Sequence, residues 1–186
     1  MLEIDPNRTW KLLADRLETE KNPLHRAQLE SIIHHMKGEA LGDIDQILST
    51  VSPKAVYYAY DNSGAPPRVF NGHSEIRGWY DNLLNTVSVN QEYRVERLVV
   101  DDYCIFTEGP SRVGVKGTIL QLAGIQGVDP DGLYLGGGRT LVIWPFDPES
   151  GLLLGENIYS VGTAPLEKVA TRKLQPEEIG HYLEAA

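Results

Sequence analysis

The spacing of apolar residues changes near residue 55, from a helical period to the alternation typical of strands. Helix start signals stand at Asp5-Pro6 and at Asn22-Pro23, and each is followed by apolar residues three or four positions apart. Asp43, with a glutamine three residues later, forms a capping box for a third, short helix. The first part of the chain is therefore predicted to contain three helices.

The rest of the chain is predicted to be mainly strands. Residues 55–60 are rich in β-branched and aromatic side chains, and a turn-forming sequence follows them at residues 61–64. An amphipathic helix opens at Gly72. Further strands are predicted at residues 87–100, 103–116, 139–146 and 152–161. This order predicts an α+β fold, in which N-terminal helices pack on a strongly curved, mostly antiparallel sheet and form a cone with an internal cavity.

A length of 186 residues predicts one domain, residues 1–186. Residues 22–162 form the predicted cone-shaped core, and residues 1–21 add an extra N-terminal helix. Residues 117–138 contain many glycines and are expected to form a long loop, either a lid or an elaborated hairpin. Residues 163–186 are expected to form a C-terminal tail.

Charge and cysteine content exclude several classes of partner. The chain has 26 acidic and 17 basic residues and a net charge of −9, which disfavours binding to nucleic acid. Cys104 is the only cysteine, so an intrachain disulfide is excluded. The N-terminus lacks a signal-like leader, and no apolar run approaches the ~20 residues of a membrane helix. These features predict a cytoplasmic protein that does not bind membranes.

Several segments resemble a known superfamily. Residues 41–45, 60–64 and 70–80, together with the last hairpin at 139–159, are similar to ketosteroid isomerase, scytalone dehydratase and SnoaL-type polyketide cyclases. Nuclear transport factor two shares that cone-shaped fold. The resemblance covers about residues 24–161 and specifies fold better than function, because this fold hosts enzymes and non-enzymes alike.

The resemblance suggests a catalytic pair. Asp61 stands three residues before a glycine, where the isomerase-like proteins place a proton-abstracting aspartate; the alternative is a turn residue that bonds its own backbone. His35 occupies the place of a tyrosine that hydrogen-bonds the substrate oxygen, or it is a surface histidine. Val142 replaces a second, aspartic acid donor of the isomerases, which argues against steroid isomerisation.

Tyrosines and carboxylates complete the predicted site. Tyr58 is preferred as the third catalytic residue, with a core role as the alternative. Glu156 alternates with aliphatic residues, so it is predicted either to enter the pocket or to form an ion pair across an interface, and Glu108 poses the same question. The other predicted substrate-binding residues are Tyr60, His73, Tyr80, Phe106 and Trp144, with helix capping as the alternative for His73. The five histidines never fall at metal-ligand spacing with a second ligand, so the sequence supports no zinc or iron site, and assembly of ligands distant in sequence is the alternative left open.

We therefore expect a cofactor-independent lyase or isomerase that acts by general acid–base catalysis on an apolar aromatic or polycyclic hydroxy or carbonyl compound. Dehydration is favoured over isomerisation, aldol cyclisation and retro-aldol cleavage. The alternative is a non-catalytic module of the same fold that binds a small ligand or a partner. A homodimer or higher homo-oligomer through the sheet face is also expected.

Overall fold

The computed structural model describes residues 1–182, and for residues 85–89 it describes the backbone only. The helices Pro23–Leu41, Ile44–Ser49 and Gly72–Thr86 begin at the predicted signals, whereas the signal at Asp5-Pro6 opens a 3-10 turn and the first helix begins only at Lys11. The bounds of the helices are α1 Lys11–Thr19, α2 Pro23–Leu41, α3 Ile44–Ser49, α4 Gly72–Thr86, α5 Gly117–Leu122 and α6 Leu166–Val169. Short 3-10 turns at Pro6–Arg8 and Pro176–Glu178 precede α1 and follow α6.

Helix α2 carries much of the site, and its ends are fixed by local chemistry. The Asn22 side chain accepts a hydrogen bond from the backbone N–H of Leu24 at the N-terminus. At the other end Gly42 has a φ of 70°, a left-handed conformation that glycine adopts without steric cost. The Asp43 carboxylate then caps α3 by accepting from the Gln46 N–H at 2.9 Å.

The strands form one sheet, which confirms the α+β prediction. Their bounds are β1 Val56–Tyr60, β2 Arg68–Asn71, β3 Val87–Tyr93, β4 Arg97–Val100, β5 Cys104–Lys116, β6 Leu133–Pro145 and β7 Asn157–Val161. The order is β2-β1-β7-β6-β5-β3, and β4 also pairs with β5. Only β1 and β7 pair in parallel among the strands of residues 1–182.

Of the two forms expected for residues 117–138, the structure has an elaborated hairpin and not a lid. Strands β5 and β6 stay paired up to Lys116 and Leu133, helix α5 follows directly, and only residues 123–132 connect α5 to β6. The glycine run lies inside β6, where Gly137 has a φ of 145° and passes close to the Ser111 carbonyl. These glycines permit close strand approach, so they do not indicate a loop.

A bend in the sheet produces the curvature of the cone. Strands β3 and β4 pair with successive parts of β5, and residues 94–96 form the break between them. A Cβ at Gly109 would overlap the carbonyl oxygen of Arg94, so glycine allows the two backbones to meet at the bend.

The C-terminal tail packs against strand β6 and against the N-terminus of its own chain. The Leu135 N–H donates to the Arg172 carbonyl at 2.8 Å, and the Gly180 N–H donates to the Ile4 carbonyl at 2.7 Å. Residues 183–186 of the predicted tail lie outside the described residues. No described helix is both long enough and apolar enough to cross a bilayer.

Candidate active site

A cavity of about 230 Å³ lies between the helices and the concave face of the sheet. Its walls are mostly apolar, with Trp79 and Leu83 from α4 facing Val142, Trp144 and Ile158 from the sheet side. Two carboxylates, Glu39 and Glu156, also line it. A carboxylate in such surroundings needs a partner or a task, because desolvation penalises its charge.

His35 lies fully buried beside this cavity, on α2. Its Nδ1 is 2.7 Å from the hydroxyl oxygen of Thr50, and that hydroxyl donates to the Ile47 carbonyl at 2.7 Å. Because Thr50 has already used its proton, Nδ1 must carry a hydrogen and donate it. The Nε2 atom lies 3.0 Å from a Glu156 oxygen.

Tyr80 connects the two carboxylates of the cavity. Its hydroxyl oxygen lies 2.9 Å from Glu156 Oε1, 3.2 Å from Glu39 Oε1 and 3.0 Å from His35 Nε2. Burial, together with the nearby Glu156 charge, raises the pKa of Tyr80 well above 10, so the hydroxyl keeps its proton. Tyr80 is therefore a hydrogen-bond donor to one of the two carboxylates at a time.

The pKa values of His35 and Glu39 are both raised, for different reasons. Burial alone would lower the pKa of His35, but the hydrogen bond and charge of Glu156 outweigh it and hold the imidazole protonated. Burial and the repulsion of Glu156 raise the pKa of Glu39 to about 7, against the opposing effect of His35. Glu39 can therefore exchange a proton near neutral pH.

Tyr57 adds an unusual buried group. Its side chain is 0% exposed, and its hydroxyl has no hydrogen-bond partner among the described residues. Burial and the charge of the neighbouring Glu156 raise its pKa well above 10. A buried hydroxyl without a partner costs free energy, and Tyr57 is not among the described residues that line the cavity, so this hydroxyl belongs to the buried cluster around Glu156 and not to the cavity wall.

The same cluster contains the one set of possible metal ligands found among the described residues. Donor atoms of His35, Glu39 and Glu156 all lie within 4.8 Å of one another. Each of them already has a hydrogen bond or ion pair inside the cluster. These contacts hold the three side chains together in the structure.

The structure does not bring Asp61 to this cavity. Its side chain is exposed and accepts from the Ser63 N–H at 2.8 Å, as in the turn considered as its alternative role. The hydrogen bonds from Ser63 lower the pKa of the Asp61 carboxyl, which makes it a weaker base. An exposed turn carboxylate lacks the desolvation that a general base in this cone would need.

Four further predicted residues lie on the outer face of the sheet. Tyr58 and Tyr60 point away from buried Tyr57, since successive side chains of β1 alternate. The Tyr60 ring stacks on Tyr159 with centroids 4.5 Å apart. The other two, Phe106 and Glu108, line an outer groove, where Glu108 is paired with Arg97 and Arg139.

The remaining predicted residues have separate positions. His73 lies in the first turn of α4, and its Nε2 is 2.8 Å from the Val51 carbonyl oxygen, which ties the helix start to the segment that follows α3. Trp144 lines the cavity, and its indole N–H donates to the Thr107 hydroxyl at 2.9 Å. The ring of Trp144 also packs edge-on against His35, with centroids 5.6 Å apart.

Sequence reasoning missed Glu39 and Tyr57. Glu39 stands four residues after His35 on α2, so the two share one helix face, and this spacing was a usable signal. Tyr57 gave a weaker signal, because three tyrosines in four residues leave the inward position undecided until the register of β1 is known.

No protein-family model and no curated protein matches the chain. Solved structures match most of its length. A protein described as a SnoaL-like polyketide cyclase, from Shewanella denitrificans OS-217, has a TM-score of 0.56 at 13% identity, over 71% of this chain and 88% of its own. An NTF2-like protein of unknown function from Burkholderia pseudomallei K96243 has a TM-score of 0.55 at 12% identity, over 78% and 98%.

An LEH-like epoxide hydrolase of M. tuberculosis has a TM-score of 0.51 at 12% identity, over 72% of this chain and 82% of its own. At such identities the likeness concerns the fold and not the chemistry. The fold implied by the sequence resemblance is confirmed, and the chain has the cone-shaped α+β fold of the SnoaL-like and NTF2-like superfamily.

Proposed function

We propose that this protein is a cofactor-independent lyase or isomerase whose proton-transfer residue is Glu39. The observation that carries the proposal is a carboxyl at the end of an apolar cavity with its pKa raised to about 7. A general base works best when its pKa lies near the working pH. Glu39 takes the role that the sequence suggested for Asp61.

Dehydration is the favoured reaction. Ionised Glu39 removes a proton from the carbon next to the one that bears a hydroxyl. The electrons of the broken C–H bond form a double bond, and the C–O bond breaks. Glu39 then passes the same proton to the departing oxygen, which leaves as water, so the carboxylate is restored after each turnover.

The neighbouring buried groups support this role of Glu39 through their charges and hydrogen bonds. Glu156 carries the charge that raises the pKa of Glu39, and His35 holds Glu156 in place at 3.0 Å. His35 is therefore a positioning residue, and its predicted contact with substrate is replaced by contact with Glu156.

The size of the cavity favours a small substrate. An apolar cavity of about 150 Å³ accommodates a benzene ring. The 230 Å³ available here suits an aromatic hydroxy or carbonyl compound of one or two rings, and a larger polycyclic compound exceeds it. Structural neighbours described as a polyketide cyclase and an epoxide hydrolase support an enzyme reading of this fold.

The proposal is tested by incubating the protein with one- and two-ring hydroxylated compounds and reading the loss of water by mass spectrometry. We expect kcat/KM to rise with pH through about 7, because Glu39 must be ionised. Glu39→Gln should lower the rate by ~10²–10⁴-fold. A metal chelator should leave the rate unchanged.

Two control variants sharpen this test. Glu156→Gln removes a neighbouring charge and should move the midpoint of the pH profile to lower pH. Asp61→Asn alters an exposed turn and should change neither rate nor profile. Full activity in Glu39→Gln would refute the assignment, and tight ligand binding without any turnover would favour the non-catalytic alternative.

A further inference from the structure

The cavity has a second polar region, distant from the carboxylates. Three hydroxyl side chains line it on three adjacent strands: Ser111 on β5, Thr140 on β6 and Ser160 on β7. Thr140 lies directly opposite Ser160 in the register, and its hydroxyl donates to Ser111 Oγ at 3.1 Å. We call these three residues the hydroxyl row.

An apolar stretch separates the hydroxyl row from the carboxylates. Along the last strand the inward positions are Glu156, Ile158 and Ser160, and Val142 lies opposite Ile158. Four residues of strand place the attachment points of Glu156 and Ser160 about 13 Å apart. Along this side of the cavity, the lining is therefore polar at both ends and apolar in the middle.

Two hydroxyls of the row have hydrogen-bonding capacity left over. Ser111 accepts from Thr140, so its own hydrogen remains for another acceptor. The Ser160 hydroxyl makes no hydrogen bond to any described side chain or backbone group. Polar atoms of this kind fix the orientation of a ligand in an otherwise apolar pocket.

The charge of the lining restricts the ligand further. Its ionisable groups include Glu39 and Glu156, and no lysine or arginine is found among its described members. A carboxylate or phosphate ligand would be buried here without a counter-charge, at a large desolvation cost. The site therefore disfavours anions.

We propose that the cavity binds an uncharged compound of two rings that carries an oxygen substituent at each end. One substituent lies at Glu39, where the chemistry takes place, and the other accepts hydrogen bonds from Ser111 and Ser160. This rests on the proposed function for the identity of the reacting end. The hydroxyl row is then the element that selects and orients the substrate.

Calorimetric titration with three naphthalene compounds tests the proposal, using the full-length Glu39→Gln protein so that turnover does not interfere. We expect 2,6-dihydroxynaphthalene to bind roughly 3- to 10-fold more tightly than 2-naphthol, the range of one or two modest hydrogen bonds. The anion 6-hydroxy-2-naphthoate should bind at least about tenfold more weakly than the diol.

Ser111→Ala with Ser160→Ala should remove the preference for the diol and leave 2-naphthol binding unchanged. Ser150→Ala, in an exposed turn, is the matched control and should keep the preference. Equal binding of diol and 2-naphthol, no binding of either, or a preference that survives the double change would overturn the proposal. If turnover does not depend on Glu39 while the preference for the diol over 2-naphthol remains, the proposed function alone is refuted.

Discussion

At the scale of single residues, the limited number of protons in the buried cluster decides which group donates and which accepts each hydrogen bond. Thr50 uses its proton on Ile47, so it fixes the hydrogen of His35 on Nδ1. The opposite nitrogen then faces Glu156, and the pair carries one charge of each sign. Glu39 is buried beside the charge of Glu156, and burial and this repulsion together raise its pKa to about 7 although His35 acts in the opposite direction.

The raised pKa of Glu39 should make the free energy of unfolding depend on pH. The folded pKa of Glu39, about 7, exceeds its ordinary 4.5, so the folded protein binds this proton more tightly than the unfolded chain. The stabilisation of the folded state by this proton is fully present below pH 4.5 and is lost as pH rises through 7. The total loss in unfolding free energy is up to about 3 kcal/mol. The raised pKa of His35 acts in the same direction, with loss beginning above 6.5.

Urea unfolding at about pH 5, 6 and 7 measures this effect. Glu39→Gln keeps the side-chain size but cannot ionise, so its stability should fall less over this range than that of the wild type. Glu30→Gln, on the exposed side of the same helix, is the control and should retain the wild-type dependence. Parallel curves for the wild type and Glu39→Gln would contradict the raised pKa.

Residue roles were only partly predictable from the sequence. The parity of Glu156 drew attention to a carboxylate among aliphatic residues, and in the structure this carboxylate is buried and lines the cavity. Asp61 was selected through the resemblance, yet its local sequence favours a turn in which the carboxylate bonds the backbone two residues on. Local hydrogen bonding prevailed there, and the Ser63 bonds hold the exposed carboxylate in the turn.

At the scale of elements, small residues decide where strands can cross or bend. Helix ends followed directly from capping residues, because caps act within a few positions of the chain. The lengths of β5 and β6 could not be predicted in the same way, because glycines that permit close packing in a strand look the same in sequence as glycines of a loop. The pairing that distinguishes them joins residues far apart in sequence.

Gly109→Ala tests the role of close approach at the bend. The added Cβ would overlap the Arg94 carbonyl oxygen, so the bend must open, and we expect a loss of about 1–3 kcal/mol in unfolding free energy. Gly78→Ala on α4 is the control, since its Cβ would meet nothing within 4 Å. That change should stabilise the helix by up to about 1 kcal/mol. Equal effects of the two changes, measured by urea unfolding, would refute the packing argument.

At the scale of the whole molecule, the order of elements determined the architecture more reliably than any motif. Helices that precede a run of strands must cover one face of the sheet, and a strongly curved sheet then encloses a cavity. The other face remains uncovered among the described residues around β5–β7. It carries a groove of about 350 Å³, and the residues that line it include Phe106, Leu141 and Tyr159.

This outer groove has the composition expected of a homodimer interface. Glu108 lies between Arg97 and Arg139 at its edge, beside the apolar residues, so one patch presents both charge signs. Under a twofold axis the same patch meets itself, and opposite charges can then pair across the interface. We therefore expect the protein to form a dimer through this face, as the sequence suggested.

Sedimentation velocity measures the outcome. Leu141→Asp places an unpaired carboxylate in the apolar part of the groove and should convert the dimer to a monomer, because burying that charge costs more than the contact gains. Leu122→Asp, at a position 84% exposed on α5, is the control and should remain dimeric. Both variants should keep the wild-type circular dichroism spectrum. A monomeric wild type at high concentration, or a Leu141→Asp protein that stays dimeric, would show that this face is not the interface.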